Sequence, residues 1–214
     1  MKSFKHWKTQ EVEEFFGIEE VSEHPLLEKW LTAQYEISED ERNDLKELQL
    51  QLKKSVHFWN EMELKMKFLG PLLALVKYDT LEYQAFMERS LVAKKGEETI
   101  VGTVDFLIAK GRQIPRSPFF SVHEYKPDPN ASKDPLGQLL IALVAIHQSN
   151  LEQKHDFPLY GAYVVGQFFY FVVFDGKAYA KSQPYVASQD AIFEVFSILK
   201  EVKVYIEAII EAGR

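Results

Sequence analysis

Phe119-Phe120-Ser121-Val122-His123-Glu124-Tyr125-Lys126 decides how this chain is read. Its aromatic and β-branched residues predict a strand over Phe119 to Lys126. Alternate side chains of a strand share a face, so Glu124 and Lys126 point one way, His123 and Tyr125 the other. Upstream, Thr99 to Ala109 reads as a second strand and carries Gly102-Thr103-Val104-Asp105. If the two strands pair, Asp105 and Glu124 meet at one edge of the sheet, with Lys126 beside them. Two carboxylates and a backbone carbonyl, that of Tyr125, form a hard oxygen set suited to Mg²⁺ or Mn²⁺. Such an ion stabilises charge on a phosphodiester and lowers the pKa of a bound water. Lys126 would orient or deprotonate that water, or stabilise the developing charge.

Outward from these strands, Tyr83 to Ala93 predicts a third, joined to Thr99 to Ala109 by the turn Lys94-Lys95-Gly96-Glu97. Gly111 to Pro118 is a basic loop. Asp128-Pro129-Asn130 breaks the chain, and Asp134-Pro135 opens an apolar helix from Leu136 to His147. Leu159 to Val173 fits one or two strands, with Gly166 at a turn, and Asp175-Gly176 leads to Ala178 to Lys181. Ala191 to Ile210 is a closing amphipathic helix.

The N-terminal part reads as helical. Thr9 caps a short helix that ends at Gly17, Pro25 opens another, and Ser38-Glu39-Asp40-Glu41 is a capping box. A further helix spans Phe58 to Val76, kinked or divided at Pro71. The order predicts an α/β or α+β domain over residues 58–214, with a helical N-terminal extension over residues 1–57. That extension is the expected surface for a homodimer or a protein partner.

Composition narrows the function classes. With 214 residues, 46% hydrophobic, there is material for one sizeable core. The absence of cysteine excludes disulfides, thiolate zinc sites and cysteine nucleophiles. The N-terminus lacks the apolar run of a signal peptide, and no stretch reaches membrane-spanning length, so a cytoplasmic protein without a membrane partner is expected. The net charge of -7 argues against a non-specific nucleic-acid binder with a basic excess. A local basic groove stays open: Lys94, Lys95, Lys110, Arg112 and Arg116 flank the hairpin, as phosphate grips or as solubilising charge.

Taken together, these residues resemble the PD-(D/E)XK nuclease superfamily. Gly102-Thr103-Val104-Asp105 looks like its Gly-x-apolar-Asp motif, and Glu124-Tyr125-Lys126 like its Glu-x-Lys motif. Gln138, in Gly137-Gln138-Leu139-Leu140, fits the Gln that members often carry on the following helix. Trp59-Asn60-Glu61-Met62-Glu63, ahead of Pro71-Leu72-Leu73, is similar to the start of the nuclease domain of type I restriction endonuclease subunits. It points to Glu61 as the upstream helical acid, with Glu63 as competitor. The likeness covers roughly residues 58–174. No proline precedes Asp105, as is common in the Gly-x-apolar-Asp variant; Ala142 stands where a tyrosine often follows the Gln, and that absence weakens the likeness to RecB-type nucleases. The resemblance implies a restriction-endonuclease-like core, a central mixed sheet flanked by helices, and DNA as substrate. Asp105 and Glu124 are the implied Mg²⁺ or Mn²⁺ ligands with the Tyr125 carbonyl, and Lys126 the implied catalytic lysine. Glu61 becomes an outer or additional ligand and Gln138 a positioning residue. The rival reading is the same fold without catalysis, binding nucleic acid or a protein partner in a restriction or defence complex.

Overall fold

A computed structural model describes residues 3–127 and 134–213. The Asp128-Pro129-Asn130 break lies outside the described residues. The chain begins with a 3-10 turn (Phe4–His6), α1 (Thr9–Phe16), β1 (Glu19–Glu20), α2 (Pro25–Leu31) and α3 (Glu39–Ser55). There follow α4 (Glu61–Leu64), a π-helical turn (Lys65–Leu69) and α5 (Gly70–Val76). Next come β2 (Gln84–Lys95), β3 (Glu98–Lys110), β4 (Arg116–Lys126) and α6 (Pro135–Glu152). The chain closes with β5 (Leu159–Val165), β6 (Phe168–Phe174), β7 (Ala178–Lys181), β8 (Tyr185–Val186) and α7 (Ala191–Ala212).

The strands form one mixed sheet in the order β1-β7-β6-β5-β4-β3-β2, with β8 on β6. Neighbours are antiparallel except for the parallel pairs β4–β5 and β1–β7. A parallel pair needs a crossover, and α6 lies between β4 and β5 in the chain to supply it. Helices cover both faces, as an α/β sheet with apolar residues on each side requires. Under α2, α3, α5 and α7 lie Trp30, Leu45, Leu72 and Phe196, against Phe106, Phe120 and Phe171 of the sheet. Under α6 lie Leu139, Leu140 and Leu143, against Leu107, Val122 and Phe174. Among the described residues no helix is long and apolar enough to cross a membrane.

Residues of the first 57 positions enter both cores: Trp30 donates its Nε1–H to Ile198 O at 2.8 Å, and Phe4 and Val12 pack in the core under α6. This explains why α6 is buried around its whole circumference from Leu139 to Ile146. The N-terminal segment lies directly on Gly137, where a Cβ would stand 2.7 Å from Trp7, Lys8 and Thr9 backbone atoms. Thr9 is the first helical residue of α1 rather than its cap. Its hydroxyl and N–H both donate to the Asp134 carboxylate, which also caps α6 through Gly137 N–H. Gly17 does end α1 in the left-handed conformation, and Ser38 and Glu41 form the capping box that opens α3.

The helix expected across Phe58 to Val76 is interrupted upstream of Pro71. Pro71 offers no N–H and its ring crowds the carbonyl four residues back. The irregularity is taken up in the π turn, where Gly70 N–H reaches Lys65 O.

Candidate metal centre

In the β3–β4 ladder Phe106 pairs with His123. One step further along lie Asp105 and Glu124, close enough that the Lys126 ammonium acts on both carboxylates. The Tyr125 N–H donates to Asp105 Oδ2 at 2.6 Å, fixing the orientation of that carboxylate. Lys126, two residues past Glu124, shares its face. Its Nζ donates to Glu124 Oε1 at 2.5 Å and to the Tyr125 carbonyl at 3.0 Å. Asp105, Glu124 and Lys126 are all buried, at 8%, 5% and 5% exposure, so their charges act on one another through little water.

What brings Asp105 here is a defect shared by two strands. Phe86 of β2 and Leu107 and Ala109 of β3 pack under α6. Further along the hairpin, Leu91 and Ala93 of β2 and Ile100 and Val104 of β3 do so as well. Phe86 and Leu91 are an odd number of residues apart, as are Val104 and Leu107, and a regular strand cannot show both to one face. The swap falls between the pairs Met87–Phe106 and Arg89–Val104, at Glu88 opposite Asp105. Glu88 absorbs it with φ 51°, a left-handed conformation that costs a non-glycine residue about 1–2 kcal/mol. Gly102, three residues before Asp105, has a packing role: a Cβ there would stand 2.0 Å from the Phe4 ring.

The sequence reading did not single out the group that faces Asp105 from the other side. Lys65, in the π turn, donates to Asp105 Oδ1 at 2.7 Å, to Glu88 Oε1 at 2.7 Å and to Glu61 Oε1 at 2.9 Å. Glu61 therefore stands in the cluster. Glu63 instead caps α4 with Asn60 and pairs with Lys67. Fully ionised, four carboxylates (Glu61, Glu88, Asp105, Glu124) face two ammonium groups (Lys65, Lys126), a formal charge of −2.

The protonation equilibria reflect that shortage of positive charge. Burial, and then the neighbouring Asp105 charge, pushes the Glu124 carboxyl up to about 7, against the pull of Lys126. Burial also raises Asp105, although Lys65, Lys126 and the Tyr125 N–H all oppose it. Burial works against the Lys65 ammonium, but its bonds to Asp105, Glu88 and Glu61 outweigh it and hold the group well above the ordinary lysine value.

The donor set, carboxylate and carbonyl oxygens, has the chemistry of a Mg²⁺ or Mn²⁺ site. Asp105, Glu124 and the Tyr125 carbonyl would hold the ion, with Glu61 at its margin. Among the described residues no three His, Asp or Glu side chains are grouped as a ready metal cage, and Lys65 and Lys126 bond to Asp105 and Glu124. Beside the cluster lies an apolar cavity of about 180 Å³ lined by Met62, Met66, Leu69, Leu73 and Met87, with Asp105 and Lys65 also at its wall.

Other residues named from the sequence have different surroundings. Gln138 is buried, and its Nε2 donates to Lys5 O at 3.4 Å, tying α6 to the N-terminal turn. His123 stacks on Phe106 at 4.7 Å, and its Nδ1 is 2.9 Å from the Tyr125 hydroxyl. Burial lowers its pKa to about 3, so it packs as a neutral ring. The basic residues separate. Lys94 and Lys95 end β2, while Lys110 pairs with Arg116 at the opposite end of β3. At about 3.3 Å per residue, the two groups are on the order of 15–25 Å from Asp105 along the strand. Lys95 covers the Phe15 ring at 4.9 Å.

The chain matches no model of a known family, and no curated protein matches it at a significant level.

Proposed function

We propose that the protein is a metal-dependent nuclease of the PD-(D/E)XK type that hydrolyses DNA phosphodiester bonds. One observation carries the proposal: Asp105 and Glu124 lie on paired strands as buried neighbours whose charges act on one another, with Lys126 bonded to Glu124 beside them. The element order supports it, since a helix bearing Glu61 is followed by three antiparallel strands, a crossover helix and a parallel strand. We infer from this order a restriction-endonuclease-like core.

In this reading the ion, when bound, supplies Lewis-acid stabilisation of phosphate charge and a more acidic water. The protein's own groups do the rest. The Tyr125 N–H clamps Asp105 so that one oxygen faces the site in a fixed orientation. Lys126 Nζ lies beside both Glu124 and the Tyr125 carbonyl, where its ammonium can face a phosphoryl oxygen or hold the attacking water. Burial excludes bulk water and strengthens these interactions.

A second reading has a specific observation in its favour. Both ligand carboxylates are already paired with lysines, as in a vestigial site that binds nucleic acid or a protein partner without cutting. Single-stranded, duplex and branched DNA incubated with Mg²⁺ or Mn²⁺ separates the two. Cleavage by the wild type, reduced about 10²- to 10⁴-fold in Asp105→Ala and Lys126→Ala, is the expected result. No cleavage of any substrate by the wild type overturns the nuclease and leaves the binding module.

A further inference from the structure

Lys65 stands where the metal-site reading needs oxygen to be free. Asp105 offers two oxygens, and Oδ2 is already held by the Tyr125 N–H. Oδ1 faces the cluster, and Lys65 Nζ sits 2.7 Å from it. The same ammonium also bonds Glu61 of α4 and Glu88 of β2. An ammonium has three N–H donors, and here each meets a carboxylate from a different element. A single exposed lysine–carboxylate pair forms and breaks at little cost, but this one is only 17% exposed at the lysine side chain. Its placement depends on two irregularities, the π turn that carries Lys65 and the left-handed Glu88 that faces it.

Resting on the metal-site reading above, we propose that Lys65 is a resident counter-ion of the metal-free protein. It competes with the divalent ion for Asp105 Oδ1 and yields that oxygen when the ion binds. The charge balance fits such an exchange. The cluster carries a formal −2 with both lysines in place, and one divalent ion brings it to zero if Lys65 stays beside Glu61 and Glu88. Without the ion, Lys65 keeps Asp105, Glu61 and Glu88 from repelling one another. Lys65 is thus a positioning residue that sets the metal affinity, and the site closes on itself when metal is scarce.

Titration of the full-length chain with Mn²⁺ by calorimetry tests this, alongside thermal melting with and without Mn²⁺. Lys65→Met removes the competing charge while keeping the aliphatic stem. It should bind Mn²⁺ about 10- to 100-fold tighter than wild type, the range in which groups behind a metal ligand tune affinity. Its melting temperature should be lower than wild type without Mn²⁺ and rise more on adding it. Lys65→Arg, which keeps the charge, should bind no tighter than wild type. Lys65→Gln gives the same reading should the methionine variant not fold. A folded Lys65→Met or Lys65→Gln protein that binds Mn²⁺ equally or more weakly, while Asp105→Ala abolishes binding, overturns the role of Lys65 and leaves the metal site standing. No Mn²⁺ binding by any variant, or binding untouched by Asp105→Ala, overturns the metal site and this inference with it.

Discussion

The two halves of the sheet use similar residues to different ends. On one side β5 and β6 pair without interruption from Leu159–Phe174 to Val165–Phe168, and Tyr163 and Tyr170 stack across them at 4.4 Å. The Asp175 carboxylate in the following turn accepts the N–H groups of Lys177 and Ala178. On the other side β2 and β3 exchange faces at Glu88 and Asp105, a glutamate holds a positive φ, and buried carboxylates depend on lysines. Where period-two packing runs on, the turn carboxylate is satisfied locally and the region is structural. Where it breaks in two strands at once, side chains leave both cores and become available for chemistry.

The contrast predicts that stability and metal binding belong to different halves. Phe171 of β6 is fully buried and meets Trp30 and Tyr185 edge-on at 5.2 and 5.6 Å. Phe171→Ala should cost about 3–5 kcal/mol in urea unfolding, with Mn²⁺ affinity unchanged in the folded fraction. A small cost, or a large change in affinity, would mean that the two halves are not separate in this sense.

Glu88 tests the defect itself. Glycine adopts φ 51° freely, whereas a β-branched residue resists it. Both Glu88→Gly and Glu88→Val remove the bond to Lys65, so that loss cancels in their difference. Glu88→Gly should therefore be the more stable of the two by about 1–2 kcal/mol. At an ordinary strand position valine would win, so the reverse order would remove the face exchange as an explanation of the site.

The same contrast explains what could be read from residue order. The β2–β3 turn is marked by Lys94-Lys95-Gly96-Glu97, with Gly96 at φ 58°. Asp105 and Glu124 could be placed on neighbouring strands from turn residues and alternation alone. The cation between the acids could not, because Glu61 and Lys65 are four residues apart on a helix, the spacing of any solvated surface pair. Only the fold, by bringing in Glu88 and Asp105, makes that pair part of a cluster. Glu88 was equally silent, since no glycine or asparagine marks the left-handed position. Pro71 signalled a break in its helix, but the π turn that absorbs it lies upstream, where the sequence is regular. Gln138 was read as a residue near the site because of its place after Glu-x-Lys. Its hydrogen bond goes to Lys5, a contact across 133 positions that no local pattern encodes.

The smallest effect concerns a carboxylate that the fold favours. Burial alone would raise Asp175, but the Ala178 and Lys177 N–H groups outweigh it, with His24 adding its share, and hold the group below the ordinary aspartate value. A group whose folded pKa is depressed adds stability above its unfolded pKa, and loses it as pH falls through the folded value. Asp175→Asn keeps an oxygen for the two N–H groups and removes only the charge. Asp175 is 41% exposed, so solvent screens much of that charge. The substitution should cost less than about 1 kcal/mol at neutral pH, and the gap in melting temperature should close as the pH falls below the ordinary aspartate range. Asp105 and Glu124 are displaced in the opposite direction, because burial there outweighs their lysine partners. A gap at Asp175 that widened on acidification would put this turn in the same class as the Asp105–Glu124 cluster, and would end the distinction between acids that hold the fold and acids held by it.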